Sequence, residues 1–333
     1  MGRNPLAAKN GIKLQNQGIL YVNSGGACRL PTAETLLSVS DGGQVTSVTD
    51  TNAAKALIDR SLNPAIMISN TADLDLFRTC REKHPDTRII LVTSFPMRAY
   101  STALEGEEDL LVDHVIASRG TSFRLVDELR VTIAKIRQGD VFGISKYLMP
   151  GTTVHQATVK GSPDRDRLNN EVMEFAERCR LGQHTAKIAF GITEELLMNT
   201  IHDAPVAAGL LHYANLPRTR PLLLRPEEYG ELQYGCDGRI LAISSSDPFG
   251  CLEKDKLFQY LKKVLKRNDS SGLIDTKKGG AGLGFFKILY SSHGLVCNVR
   301  RGERTEIMAL IEVGEQLRDF ANMPRSIHYF KVA

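Results

Sequence analysis

The sequence contains no tryptophan, no long apolar run and almost no excess of charge of either sign. Because no stretch of about 18 apolar residues exists, no transmembrane helix is expected. The first residues have no apolar core of the kind that a secretory signal needs, so we expect a cytoplasmic protein without membrane contact. The six cysteines are scattered, and no two have the CxxC spacing of a zinc site, so we expect reduced packing residues.

The weak positive charge is confined to the second half of the chain. Residues 1–140 carry 16 basic and 16 acidic side chains, whereas residues 141–333 carry 26 and 22, which accounts for the net charge of +4. Proteins that bind nucleic acid have a clustered basic face and a domain pI above about 9. The excess here is too small for that. No nucleic-acid partner is therefore expected, although the charge suits a small polyanion.

Strand-like and helix-like segments alternate through residues 18–137, the first of two domains that a chain of 333 residues suggests. Apolar runs predict strands over 18–22, 44–48, 64–69, 87–93 and 112–117. Helical spacing predicts helices over 33–39, 52–60, 74–83 and 123–136. Nearly continuous apolar strands that alternate with helices indicate an α/β fold with a parallel, doubly wound sheet.

This five-fold alternation resembles a response-regulator receiver domain, which has a flavodoxin-like fold. Asn70 stands where the phospho-acceptor aspartate follows the third strand, and residues 23–25 replace the acidic pair after the first. An amide cannot form an acyl phosphate, and the loss of the acidic pair removes the Mg²⁺ ligands. The fourth-strand hydroxyl remains as Thr93 or Ser94, and the lysine after the fifth strand is replaced near Ser118. We predict a degenerate receiver (a pseudo-receiver); the alternative is an unrelated flavodoxin-like domain.

The chain changes character after residue 137. Residues 138–158 contain three glycines and one proline without periodicity and are interpreted as a linker. Beyond it, helices are predicted over 164–180, 186–203, 257–267 and 282–293, and strands over 221–225, 239–244, 295–300 and 306–313. This mixed order indicates an α+β sandwich over residues 159–315. Residues 1–17 and 316–333 are expected to be terminal tails.

A polar stripe on the second of these helices is the first of four chemical motifs. At about 100° per residue, Glu195, Asn199 and His202 fall on one helix face. An asparagine oxygen at this spacing can bind a divalent cation, while the carboxylate orients or deprotonates a water or hydroxyl. The alternative is an ordinary amphipathic helix with a solvated side.

The other three motifs follow in order along the chain. Asp247 comes directly after a strand, beside the turn glycine Gly250, where a carboxylate can accept a hydrogen bond from an exocyclic amine such as that of adenine. A glycine-rich segment with G-x-G-x-G spacing then precedes an apolar helix, so that backbone N–H groups can approach phosphate oxygens; its glycines are Gly280, Gly282 and Gly284. Thr305 introduces the final predicted strand and can reach a buried nucleotide. Each motif alone is a weak signal.

The order of the four motifs resembles the GHKL ATPase family, which includes sensor histidine kinases, serine-kinase anti-sigma factors and DNA gyrase. The resemblance covers about residues 155–313 and implies an α+β sandwich of the Bergerat type, with ATP and Mg²⁺ as cofactors. It implies that Glu195 is a general base, that Asn199 holds Mg²⁺ and that Asp247 binds adenine. The remaining residues of the implied nucleotide site are Gly250, Gly280, Gly282, Gly284 and Thr305.

Within this family, the helix-first beginning of the segment resembles the anti-sigma serine kinase type. His155 does not lie on a helix beside an acidic residue, so a self-phosphorylating histidine kinase is not expected. The first glycine box departs from the family's Asp-x-Gly-x-Gly pattern, because Phe249 and Cys251 stand where its two glycines belong. This departure would reshape the adenine pocket. The lysine-rich segment 251–279 is interpreted as a lid over the phosphates, with a solvated basic helix face as the alternative.

We therefore expect a bacterial signal-transduction protein, of the two-component kind, that binds Mg-ATP and phosphorylates or switches a partner protein. Serine/threonine kinase and ATPase activities both stay open, and a homodimer is compatible with the resemblance. The pseudo-receiver would be the regulatory or interaction module. The alternative is a non-catalytic scaffold in which both halves serve protein–protein contact.

Overall fold

Most of the chain outside the N-terminal segment is described by a computed structural model. The described residues are 18–25, 28, 30–40, 43–96, 111–119, 122–210, 212–214, 220–265, 283–314 and 323–332. The expected tail 1–17, the glycines Gly280 and Gly282, and lid residues 266–279 lie outside them.

Five parallel strands form the N-terminal half of the sheet, in the order β2-β1-β3-β4-β5. The strands are β1 (Ile19–Val22), β2 (Val45–Val48), β3 (Ile66–Ser69), β4 (Arg88–Thr93) and β5 (His114–Ala117). The helices are α1 (Ala33–Val39), α2 (Thr51–Asp59), α3 (Leu74–Lys83) and α4 (Ser122–Gln138). This is the flavodoxin-like strand order, so the predicted α/β class of this half is confirmed.

Helices cover both faces of these strands, as a doubly wound sheet requires. Alternate strand residues point to opposite faces, so that Leu20 packs with α2 and α3, whereas Tyr21 packs with α1 and α4. Side chains before the helices satisfy their first N–H groups. Asp50 accepts a hydrogen bond from Ala53 N at the start of α2, and Asp73 accepts one from Leu76 N at the start of α3.

The second half adds six strands in the order β11-β9-β10-β8-β7-β6. They are β6 (His155–Val159), β7 (Gly230–Cys236), β8 (Ile240–Asp247), β9 (Gly294–Arg300), β10 (Arg304–Glu312) and β11 (Ser326–Val332). The helices are α5 (Arg165–Arg178), α6 (Gly182–Met198), α7 (Ala204–Ala207), α8 (Lys254–Leu265) and α9 (Leu283–Tyr290). Neighbouring strands are antiparallel except β11 and β9, which are parallel.

Strand β11 joins the two halves into one sheet of eleven strands. It pairs with β9 along its whole length and with β5 through Ile327 and His328. Ser326 Oγ also accepts a hydrogen bond of 3.0 Å from Ala117 N. The expectation of a terminal tail over 316–333 is therefore wrong for 326–332. Without β11, β5 and β9 would each have an unpaired edge, and β11 pairs with both.

The segment expected to be a linker packs onto the sheet. Val141, Ile144, Tyr147 and Leu148 are buried in one cluster with residues of β8, β9 and β10. These apolar residues cover the face of the second half that lies opposite α5 and α6. The interpretation of 138–158 as a linker is wrong for this part, because its apolar residues supply half of a core.

Two other parts of the second half differ from the prediction. Residues 221–225 do not form a strand, since only Leu223 makes a bridge, to Gly161, and its side chain is exposed. Strand β7 was not predicted, because glycines stand at positions 230 and 235. Gly230 has a tertiary reason: a Cβ there would clash with the Thr200 side chain and would lie 2.7 Å from Ser246 O.

Candidate functional site

Helix α6 carries Glu195 towards β8, and Asn199 follows directly after the helix, where the winding of the chain changes. Residues 199–203 form a π-helical turn, a rare feature that is frequent at functional sites. The turn is fixed to β8, because Thr200 Oγ1 and Ser245 Oγ form a hydrogen bond of 2.7 Å. Asn199 is buried, and its Nδ2 has no hydrogen-bond partner among the described residues. A buried N–H donor without a partner is costly and points to an acceptor at this position.

The N-terminal end of α9 approaches the same place. A Cβ on Gly284 would lie 3.1 Å from Glu195 Oε2 and 3.6 Å from Asn199 Nδ2. One turn later, Lys287 Nζ lies 2.6 Å from Glu195 Oε1. The missing side chain of Gly284 therefore keeps the space beside Glu195 and Asn199 open. The Lys287 contact was not predicted, although its spacing of three residues from Gly284 places both on one face of α9.

Asp247 and Thr305 face each other across two strands. The register of β8 and β10 pairs them directly, and both side chains are buried. Burial raises the pKa of Asp247 to about 6, although N–H groups of Phe249 and Gly250 and the hydroxyl of Thr305 act in the opposite direction. Phe249 N donates to Asp247 Oδ1 at 3.0 Å. The ionised Asp247 is thus an acceptor held inside the protein beside a hydroxyl.

Gly250 brings the turn after β8 against the turn between β9 and β10. Its φ is +62°, and a Cβ there would clash with Arg300 O and would lie 2.7 Å from Gly302 N. Only glycine fits this crossing without displacing backbone. Phe249 and Cys251 are both half-buried on either side of it. The turn that carries these two departures from the family pattern is therefore locked to the turn that precedes Thr305.

The predicted residues that the structure describes thus form two neighbouring groups. Glu195, Asn199 and Gly284 form one, and Asp247, Gly250 and Thr305 form the other. The hydrogen bond between Thr200 and Ser245 connects them, since Thr200 follows Asn199 and Ser245 lies two residues before Asp247. His202 is buried in the π-helical turn.

Lys254, at the start of α8, pairs with the N-terminal half. Its Nζ lies 3.0 Å from Oδ1 of the buried Asp113, whose Oδ2 lies 2.5 Å from Arg81 NH2 on α3. Burial alone would raise the pKa of Asp113, but Lys254 and Arg81 outweigh it and hold the pKa well below its usual value. The neighbouring backbone is fixed as well, since Tyr329 Oη donates to Leu252 O at 2.8 Å. Lys254, in the segment 251–279 that was interpreted either as a lid or as a solvated basic face, is therefore held by a buried carboxylate.

Asn70, at the position where a receiver's acceptor aspartate was expected, is enclosed by hydrogen bonds. Asn70 is buried, and its Oδ1 accepts from Ser24 N at 3.0 Å. Its Nδ2 donates to Cys28 O at 3.1 Å and to Asn23 Oδ1 at 3.2 Å. The Asn70 amide nitrogen thus donates to two acceptor oxygens. An aspartate would place a carboxylate oxygen there, against the same two acceptors. Thr93 Oγ1 accepts from Phe95 N at 3.0 Å and is engaged within its own loop.

No protein-family model matches the chain, and no curated protein is significantly similar to it. Among solved structures, it is similar to the receiver domain of NtrC4 from Aquifex aeolicus, with 12% identity and a TM-score of 0.27 over 39% of this chain and 98% of that one. It is also similar to RcsB from Salmonella enterica serovar Typhimurium bound to promoter rprA, with 14% identity and a TM-score of 0.24 over 61% of this chain and 100% of that one. The fold assignment of the N-terminal half therefore rests on its strand order and helix placement.

The described residues contain neither a metal cluster nor a membrane span. Nowhere in that part of the chain do three or more His, Cys, Asp or Glu side chains lie close enough to hold a metal ion together. No helix in it has both the length and the apolar character needed to cross a membrane. All six cysteines are free thiols.

Proposed function

We propose that the second half binds Mg-ATP as an ATPase domain of the GHKL type and uses it to phosphorylate or switch a partner protein. The observation that carries this proposal is the convergence of the motif residues. Glu195, Asn199 and Gly284 lie within contact distance of one another, and Thr200 ties them to the strand that ends at Asp247. Glu195 and Gly284 are 89 residues apart in sequence, so it is the tertiary packing of α9 on α6 that brings the two motifs together.

The residues present fit this cofactor pair. Amide and carboxylate oxygens are the ligands that Mg²⁺ takes from proteins, so Asn199 would bind the ion through Oδ1. Its buried Nδ2, which has no partner among the described residues, is a donor that suits a phosphate oxygen. Asp247 and Thr305 offer a buried acceptor and a hydroxyl, which suits an exocyclic amine. Gly284 leaves the space beside Asn199 unfilled. When bound, Mg²⁺ would neutralise charge on the phosphates.

Within such a site, the roles of the chain's own residues follow from their places. Asp247 would orient the base, and the half-buried Phe249 and Cys251 would shape the pocket around it. Glu195 would accept a proton from a hydroxyl or water, provided that Lys287 moves away from its carboxylate. In the described structure Lys287 occupies one oxygen of Glu195, so the general base is held in a paired state.

The receiver-like half would act as a regulatory or interaction module without phosphorylation, in a signalling pathway with a protein partner. Its support is the closed position of Asn70. A second candidate, a non-catalytic scaffold, is favoured by the Lys287–Glu195 pair together with the two departures Phe249 and Cys251. Both candidate functions are compatible with this fold, and a measurement of nucleotide binding distinguishes between them.

Thermal unfolding with Mg-ATP tests the proposal. A ligand in 100-fold excess over its Kd stabilises the native state by about 2.7 kcal/mol, so a clear rise in Tm is expected for the wild type. Asn199→Ala should lose most of this rise, whereas Asn170→Ala, an exposed asparagine on α5, should keep it.

Gly284→Ala is a second variant in case Asn199→Ala folds poorly. Its Cβ would crowd Glu195 and Asn199, and it should therefore weaken Mg-ATP binding while the helix itself tolerates alanine. An unchanged Tm at millimolar Mg-ATP in the wild type would contradict nucleotide binding and leave the scaffold as the function. A rise that Asn199→Ala and Gly284→Ala both retain would place the nucleotide elsewhere.

A further inference from the structure

A cavity of about 930 Å³ lies at the junction of the two halves of the sheet. Helix α4 forms one wall, residues 145–150 form another, and the floor contains Ile240, Gly294 and Leu310 from β8, β9 and β10. Its volume is near the upper end of the range for small-molecule sites, about 300–1,000 Å³, and such sites are often found between domains.

The cavity and the candidate nucleotide site lie at opposite ends of the same strands. Ile240, at the start of β8, lines the cavity, whereas Asp247 ends that strand. At about 3.3 Å per residue, the two positions are about 20 Å apart. No residue assigned to the nucleotide site lines the cavity. It is therefore a separate feature that the proposed function does not use.

The walls combine a buried apolar floor with a basic rim. Tyr147, Leu148 and Leu310 are buried and line the cavity. The basic lining residues are Arg119, Arg124, Arg130, Lys146 and Arg239. Three carboxylates also line it, and Lys146 and Arg239 have further carboxylate partners just outside the lining, Asp140 at 3.0 Å and Asp237 at 3.4 Å. A mainly apolar occupant with negative charge would match both parts.

Four of the basic residues share two of the lining carboxylates. Glu312 pairs with both Arg119, at 2.5 Å, and Arg124. Asp127 pairs with Arg130 at 2.6 Å and with Arg239 at 3.6 Å. A guanidinium has five N–H donors in a fork that fits carboxylates, sulfonates and phosphates. Arg119 also donates to His293 O and Pro324 O, and Arg239 also pairs with Asp237, so Arg124 and Arg130 are the residues that would offer donors to a second acidic group.

A buried donor in the wall also lacks an acceptor. His293 Nδ1 accepts a hydrogen bond of 2.9 Å from Glu312 N, which fixes the proton of the neutral ring on Nε2. Burial, followed by the nearby arginines, lowers the pKa of His293 to about 2, so the ring stays neutral. Its Nε2 has no hydrogen-bond partner among the described residues. Because Nε2 is not exposed to the cavity and the ring is neutral, His293 adds neither an accessible donor nor a positive charge to the lining.

We propose that this cavity is a binding site for a small organic anion with an apolar body. The acidic group would lie among the arginines at the rim, and the apolar body would lie on the floor formed by Tyr147, Leu148 and Leu310. The ligand would contact α4 from the N-terminal half and strands from the second half at once. A molecule bound there would be sensed by both halves of the protein.

A matched pair of fluorescent probes tests this site on the full chain. The anionic probe is 8-anilinonaphthalene-1-sulfonate, and the neutral probe is N-phenyl-1-naphthylamine, which has the same rings without the sulfonate. We expect the sulfonate to bind with a stoichiometry of one. Arg130→Glu and Arg239→Glu reverse exposed charges at the rim and should each weaken sulfonate binding on the order of fivefold, with little effect on the neutral probe.

Arg167→Glu is the control, because Arg167, on α5, is an equally exposed arginine that pairs with Asp164 and Glu171 and lies outside the cavity. It should leave binding of both probes unchanged. The proposal is overturned if the sulfonate does not bind, if the rim variants bind it as tightly as Arg167→Glu does, or if both probes weaken equally. Displacement of the sulfonate by Mg-ATP, mole for mole, would overturn it as well, since the probe would then occupy the nucleotide site.

Discussion

Thr305 lies directly opposite Asp247 in the register of β10 and β8, and its hydroxyl favours the ionised form of the buried Asp247 carboxyl. The pair stands at the end of two central strands, where both side chains are withdrawn from water. Burial raises the pKa of Asp247 from 3.8 to about 6, so ionising this carboxyl costs free energy in the folded protein.

Asp247→Asn is expected to stabilise the protein near neutral pH. Because the folded pKa is raised, the stability of the wild type is greatest below the unfolded pKa of about 3.9 and falls as the pH rises to about 6. The asparagine escapes this loss, so its advantage should be near zero at about pH 3.5 and reach up to about 3 kcal/mol at about pH 7. Urea unfolding of both proteins at the two pH values measures it.

Asp86→Asn, at an exposed turn, is the control and should change the free energy of unfolding by less than about 0.5 kcal/mol at both pH values. An Asp247→Asn protein that is less stable than the wild type at neutral pH would show that the N–H and hydroxyl contacts outweigh burial. If the proposed function holds, the same substitution also weakens Mg-ATP binding, so stability and binding should change in opposite directions.

Gly250→Ala is expected to destabilise the protein by about 3 kcal/mol, because backbone atoms of another turn occupy the space of the new Cβ. Gly302→Ala is the matched control. Gly302 also has a positive φ, of +73°, but no atom lies within 4 Å of the place that its Cβ would take. It should therefore suffer only the backbone strain, about 1 kcal/mol. If urea unfolding shows that both variants lose the same amount of stability, the contact between the two turns does not itself contribute to the free energy of unfolding.

Asp113→Asn should cost about 3–5 kcal/mol at neutral pH, because it leaves the partly buried Lys254 and Arg81 without the buried carboxylate that they share. The folded pKa of Asp113 is lowered, so its contribution is complete above the unfolded pKa of about 3.9 and is lost as the pH falls below it. The difference between wild type and variant should therefore shrink with acidification. Denaturant titrations from about pH 7 down to about pH 3 follow this change.

The exposed pair of Lys83 and Asp59 provides the comparison for Asp113. Both side chains are about half exposed, so Asp59→Asn should cost less than about 1 kcal/mol. If the two substitutions had the same small effect, the ion pairs between the two halves would not contribute to stability.

Asn70→Asp is expected to destabilise the receiver-like half by about 1–3 kcal/mol without restoring phosphorylation. The new carboxylate oxygen would face Cys28 O and Asn23 Oδ1, which now accept from the amide. The acidic pair that would hold Mg²⁺ is also missing. Incubation with radiolabelled acetyl phosphate should label neither protein. Labelling of the variant alone would show that the site is one substitution away from a working receiver.

Local signals predicted the N-terminal half closely. Helix α3 begins after Asp73 and ends at Lys83 before His84-Pro85, as the sequence indicates, since its cap and its stop are both encoded within a few residues. Strand β11 could not be recognised, because its partners are distant: Ala117 and Ser326 are 209 residues apart. In the sequence, Gly230 indicates a turn. In the structure it lies within a strand, and the Thr200 side chain occupies the space that its Cβ would take.

In the candidate site, too, local spacing was predictable from the sequence and tertiary contacts were not. The spacing of Glu195 and Asn199 follows from helix geometry and was visible in the sequence. The ion pair between Lys287 and Glu195 depends on how α9 crosses α6, which no short pattern encodes. The same holds for the pairing of Lys254 with Asp113, which joins residues 141 positions apart.

The place of β11 also has a consequence for the order of events during synthesis. Strands β1 to β5 and their helices can fold early, but the open edge of β5 receives its partner only after residue 326 has left the ribosome. Until then, that edge exposes unpaired N–H and C=O groups that another strand can recognise. Production of this protein should therefore be sensitive to the interval between the synthesis of β5 and β11, during which two nascent chains can pair with each other.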